Sequence, residues 1–125
     1  MNKINKKILI IDDDEGFRMI LEEKFLKEKF TVFTAGNGED GLSLADKEKP
    51  DLILVDVMMP KMNGIDMAKI IRGYGNNVII MFLTNLSDMN HISSAMQSSP
   101  SDYIVKADTK ISEIIDRVKK RLEIE

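Results

Sequence analysis

Two adjacent carboxylates, Asp12 and Asp13, follow the apolar run Ile8–Ile11. A third, Asp56, follows Leu52–Val55; Thr84 follows Val78–Leu83, and Lys106 follows Tyr103–Val105. These residue types share one chemistry if they are brought together. Clustered carboxylates raise one another's pKa unless a cation sits among them. Mg²⁺ suits such a set, because it takes oxygen ligands octahedrally and keeps several waters. A lysine and a hydroxyl beside the metal complete what phosphoryl transfer needs: positive charge and donors on the equatorial oxygens, with a nucleophile in line. Asp56 is the candidate nucleophile, since an aspartyl carboxylate can accept phosphate covalently. Asp12 and Asp13 are then metal ligands, and Asp14 starts the next helix, where an acid suits the helix dipole.

The elements that must position these groups are legible as alternating patterns. The runs Ile8–Ile11, Thr31–Thr34, Leu52–Val55, Val78–Leu83 and Tyr103–Val105 lack a polar alternation, as expected of strands buried on both faces. Between them, apolar residues recur at helical spacing: Phe17, Ile20, Leu21, Phe25 and Leu26; Leu42 and Ala45; Ile65, Ala68 and Ile71; Ile111, Ile114, Ile115, Val118 and Leu122. Pro50, Pro60 and the stretch 73–77 punctuate them. Repeated strand–helix units predict an α/β domain on a parallel sheet. In strand order 2-1-3-4-5, strands one and three are neighbours at the switch point, and ligands bind beyond the carboxyl ends there. Four of the five strand ends carry a polar group with phosphate or metal chemistry; only the second strand leads to a plain turn, "AGNG".

Composition narrows the classes. At 125 residues the chain fits one domain, 1–125. No cysteine means no disulfide or thiolate site, and a single His91 excludes a multi-histidine zinc centre. Net charge is −3 without a Lys/Arg stripe among aromatics, which argues against direct nucleic-acid contact. No apolar run reaches the ~18 residues of a membrane span, so a cytoplasmic, soluble protein is expected. His91 reads as a surface residue of a fourth helix. The nine methionines read as core filler and adaptable surface, with Met89 and Met96 candidates for a partner face.

The pieces "ILIIDDDEGFR", "PDLILVDVMMPKMNGID", "IIMFLT" and "DYIVKAD" together resemble the receiver domain of two-component response regulators, of the single-domain, chemotaxis-regulator-like kind. They span essentially the whole chain in the right order, and the pattern from Asp56 to Gly64 is the most specific. The resemblance implies a flavodoxin-like (βα)5 fold whose Asp56 takes a phosphoryl group from a histidine kinase or phosphotransfer protein. It further implies Mg²⁺ on Asp13, Asp56 and the backbone carbonyl of Met58, with Asp12 acting mainly through metal-bound water. Thr84 and Lys106 would bind phosphoryl oxygens. Thr84 and Tyr103 would act as the switch, Tyr103 turning as Thr84 moves inward. The face of the fourth helix, fifth strand and fifth helix would then change towards a downstream protein target, or pair in a homodimer. The phosphoryl group would be made and lost on the protein itself, with no external turnover substrate.

Some positions depart from that pattern. Asn85 stands where a small residue is usual, within reach of Asp56 or a phosphoryl group. Ala107 stands where the family has a proline, so a trans peptide bond and a displaced loop are expected. Met58 and Leu86 put apolar side chains at the positions that orient the attacking water, which predicts a long-lived phosphoryl group. Two other readings use the same residues. A receiver-like docking module would leave Asp56 unphosphorylated. A small haloacid-dehalogenase-type phosphatase would use "DDDEG" as its nucleophile loop, but the late acidic motif and cap of that family are missing. The chain reads either as a stand-alone receiver or as part of a longer regulator.

Overall fold

The computed structural model describes residues 5–85 and 102–124. Five strands, β1 (Lys7–Ile11), β2 (Thr31–Ala35), β3 (Leu52–Asp56), β4 (Ile79–Thr84) and β5 (Tyr103–Val105), form one sheet. Their order is β2-β1-β3-β4-β5 and every pairing is parallel. The helices are α1 (Glu15–Lys27), α2 (Gly38–Glu48), α3 (Gly64–Gly73) and the C-terminal helix (Ile111–Arg121); a 3₁₀ turn, Lys106–Asp108, follows β5. This is the expected flavodoxin-like arrangement. Leu86, Met89, His91, Met96 and the segment expected to form a fourth helix lie outside the described residues.

The absence of alternation in the strands has a direct cause: each face of the sheet is covered. Leu9, Ile11, Ile53, Val55 and Phe82 point to one side and pack with Met67, Ala68 and Ile71 of α3. Ile8, Ile10, Leu52, Leu54, Met81 and Leu83 point to the other and meet Leu21 and Phe25 of α1 and Ile114, Ile115 and Val118 of the C-terminal helix. Burying one such side chain contributes roughly 1.5–3 kcal/mol, so the central strands hold the frame firmly.

Three helices start at a side-chain cap. Asp14, Asn37 and Asn63 each accept a hydrogen bond from the backbone N–H three residues on. Asp14 therefore does start α1, as its sequence position predicted. Lys29 and Lys49, just past α1 and at the end of α2, adopt the left-handed conformation that stops a helix.

Two expectations need correction. Strands β3 and β4 run one residue further than the apolar runs, so Asp56 and Thr84 are the last strand residues rather than the first loop residues. Their backbone stays in register with a neighbour, and a polar side chain at a strand end does not break that ladder. The α1 stripe also divides: Leu21 and Phe25 are buried, whereas Ile20 and Leu26 stand about half exposed, beside Met19. The helix meets the sheet along a strip too narrow to cover them. No helix among the described residues is long and apolar enough to cross a membrane.

Candidate functional site

Sheet register builds the site. Ile11 lies opposite Val55, so the next residues, Asp12 and Asp56, emerge side by side. Thr84 lies opposite Val105, so Lys106 emerges beside the end of β4. Carboxylate oxygens of Asp12, Asp13 and Asp56 lie within 4.8 Å of one another. Asp12 and Asp56 are buried and Asp13 is exposed, which leaves the cluster one open side.

Lys106 reaches across this cluster. Its Nζ stands 2.7 Å from Asp12 Oδ2 and 3.3 Å from Asp56 Oδ2, and 4.9 Å from the centre of the Phe17 ring. The 3₁₀ turn containing Ala107 permits this reach, and no peptide bond among the described residues is cis. Asp12 Oδ1 accepts the N–H of Asp14 at 2.9 Å, and Asp56 Oδ1 accepts the N–H of Met58 at 3.2 Å. The Met58 side chain is exposed.

One ammonium for three carboxylates leaves negative charge in a partly dry place. Burial, and then the charge of Asp12, push the Asp56 carboxyl up to about 7, against the pull of Lys106 and the Met58 N–H. Burial works against the charge of Lys106, yet Asp12 and Asp56 outweigh it and hold its ammonium above the ordinary lysine value. The surplus charge and the all-oxygen donor set fit a hard divalent cation.

Thr84 is buried, and its hydroxyl donates to the carbonyl of the adjacent Asn85 at 3.1 Å. Asn85 itself is exposed. Tyr103 is buried on the sheet face shared with α3, stacked on Phe82 with ring centres 5.5 Å apart. Its hydroxyl has no hydrogen-bond partner among the described residues. Its carbonyl accepts from Arg117 at 2.6 Å.

Three contacts were missed in the sequence. Phe17 lies under the Lys106 ammonium. Arg18 donates from Nη1 to the backbone carbonyl of Asp12 at 2.7 Å. Gly64, the end of the Asp56–Gly64 pattern and the first residue of α3, packs its bare Cα against the Asp56 carbonyl; a Cβ there would overlap that oxygen and sit 3.0 Å from its carbon. The Asp56–Gly64 pattern marked this glycine, but not the contact it makes.

The model of the response regulator receiver domain matches residues 8–119. The chain belongs to that family. Its receiver is 36% identical over 121 residues to sporulation initiation phosphotransferase F of Bacillus subtilis, covering 97% of both chains. It is 36% identical over 103 residues to the alkaline phosphatase synthesis transcriptional regulatory protein PhoP of the same organism, covering 82% of this chain and 43% of that one. The receiver thus spans nearly the whole of one relative and less than half of the other. Among solved structures it is similar to the receiver domain of Francisella response regulator 1452, with a TM-score of 0.83, 30% identity and coverage of 94% and 99%. A Clostridium thermocellum receiver domain shares the fold at a TM-score of 0.84 and 22% identity, over 94% of each chain. The receiver is therefore a two-component response regulator domain, and nothing in these similarities favours the dehalogenase-type phosphatase.

Proposed function

We propose that this receiver is a phosphorylation switch in the cytoplasm whose acceptor is Asp56. A histidine kinase or phosphotransfer protein presents a phosphohistidine; the P–N bond breaks, a P–O bond to an Asp56 carboxylate oxygen forms, and the freed imidazole takes up a proton. The observation that supports this most strongly is the Lys106 ammonium, held by Asp12 and Asp56 together in a cluster of three carboxylates.

Asp12, Asp13, Asp56 and the Met58 carbonyl are the groups that would hold Mg²⁺, Asp12 mainly through bound water. The ion would neutralise charge on the phosphoryl oxygens. Lys106 exchanges its contact with Asp56 for a phosphoryl oxygen, and the Thr84 hydroxyl turns from the Asn85 carbonyl to another. Charge-assisted hydrogen bonds of this kind favour the phosphorylated arrangement over the resting one. Tyr103 reads out that change, and the surface around β5 and the C-terminal helix passes it to a protein target or a second copy. The group is made and lost on the protein's own carboxylate, so no external substrate turns over.

The test is incubation with acetyl phosphate and Mg²⁺, read by intact mass. A gain of one phosphoryl group that needs Mg²⁺ and disappears in Asp56→Ala supports the reading. A gain that survives in Asp56→Ala moves the acceptor elsewhere. No gain from acetyl phosphate, and none from a phosphohistidine protein either, leaves a docking module.

A further inference from the structure

Asp12 is held at its main chain as well as at its side chain. Its N–H donates to the Ala35 carbonyl of β2 at 3.1 Å, and its own carbonyl accepts Arg18 Nη1 at 2.7 Å. That carbonyl belongs to the peptide plane joining Asp12 to Asp13. Fixing the plane fixes the direction in which the exposed Asp13 carboxylate leaves the chain. The guanidinium lies close against Gly36: a Cβ there would come within 3.0 Å of Nη1 and 3.6 Å of Cζ. Gly36 has no left-handed backbone angle to explain a glycine, so the missing side chain serves the space it leaves.

Charge explains why an arginine stands there. Lys106 takes carboxylate oxygens that a cation would use. Arg18 makes its close contact with a backbone carbonyl instead, and so takes no carboxylate oxygen from a ligand. A guanidinium is also always charged and planar, which suits a narrow fixed slot.

We infer that Arg18 is a positioning residue for the acidic pocket, setting the Asp12–Asp13 peptide plane from a slot that Gly36 keeps open. This rests on the reading of Asp12, Asp13 and Asp56 as a cation pocket. Partners that orient ligands are commonly worth 10-fold or more in metal affinity. Arg18→Met is expected to weaken binding of Mg²⁺, followed by calorimetry, or of Mn²⁺, followed by electron paramagnetic resonance, by about tenfold.

Arg18→Lys restores most of the affinity, because a single donor suffices for a single carbonyl oxygen. Gly36→Val, which fills the slot, weakens binding as Arg18→Met does, and the double variant is no weaker than either alone. That non-additivity separates positioning from a general loss of stability, as do unchanged circular dichroism and thermal midpoint in the absence of metal. Unaltered cation affinity in folded Arg18→Met, or full additivity with Gly36→Val, overturns the role of Arg18 and leaves the pocket standing. A wild-type protein that binds neither cation overturns the pocket itself, and Arg18's role with it.

Discussion

The Asp56 carboxyl is the most consequential group at the scale of single residues. Its pKa in the folded chain is raised to about 7, while in the unfolded chain it returns to the ordinary carboxylate range. The folded state therefore binds this proton more tightly. Its contribution to stability is fully present below the unfolded pKa, near 4, and is lost as pH rises through about 7. In a metal-free protein, Asp56→Asn is expected to be stabilising at pH 8, by roughly 1–4 kcal/mol, and close to neutral at pH 4. Urea unfolding at the two pH values in EDTA checks this; equal effects at both would mean that Asp56 ionises freely. The carboxylates and Lys106 were legible because each stands at the end of an apolar run, where composition changes abruptly. Arg18 and Phe17 were not, because they act through a carbonyl and a ring face, neither of which leaves a mark in residue spacing; Gly64 was legible as the end of a pattern but not as a contact.

At the scale of elements, the close approach of α3 to the end of β3 sets the backbone of Asp56. Gly64→Ala would drive a methyl into the Asp56 main-chain carbonyl, and one of the two segments must shift. A loss of about 1–3 kcal/mol or more is expected, together with weaker cation binding. Gly16→Ala is the matched control. Its new Cβ meets only Asp14 Oδ1 at 3.6 Å, and an alanine early in α1 should be neutral or gain up to about 1 kcal/mol. Chemical denaturation of the pair separates crowding at Asp56 from a general glycine effect. The strand periods were read correctly, but the strand ends were read one residue short at Asp56 and Thr84, since an acid or a hydroxyl at a strand end looks like the start of a loop. The α1 stripe was read too wide. The exposed Met19, Ile20 and Leu26 form instead an apolar strip on the helix that begins next to Asp13. Under the function proposed above, a phosphodonor protein that brings its histidine to Asp56 is expected to touch it. Ile20→Lys should leave labelling by acetyl phosphate unchanged and slow transfer from a phosphohistidine protein several-fold. Equal slowing with both donors would place the effect in the pocket rather than at the strip.

For the molecule as a whole, the pocket and the fold are one equilibrium. A cation that binds only the assembled pocket stabilises the entire domain, by about 2.7 kcal/mol at a hundredfold excess over its Kd. For a domain of this size that is a rise of roughly 10 °C in Tm. Thermal melts against Mg²⁺ at pH 7.5 should show the rise in wild type and lose most of it in Asp13→Asn, whose exposed side chain leaves the core untouched. A full rise in Asp13→Asn would remove that carboxylate from the ligand set.

The strand order β2-β1-β3-β4-β5 carries one more consequence. Asp12 and Asp13 leave the ribosome early, Asp56 next and Lys106 last, just after a strand of three residues that pairs with β4 alone among the described strands. Until that strand docks, a nascent chain has the buried acids without their counter-charge, and the sheet that would align them is incomplete. Under the function proposed above, a nascent chain that does not yet carry Lys106 is expected to take up no phosphate, even with its earlier strands in place.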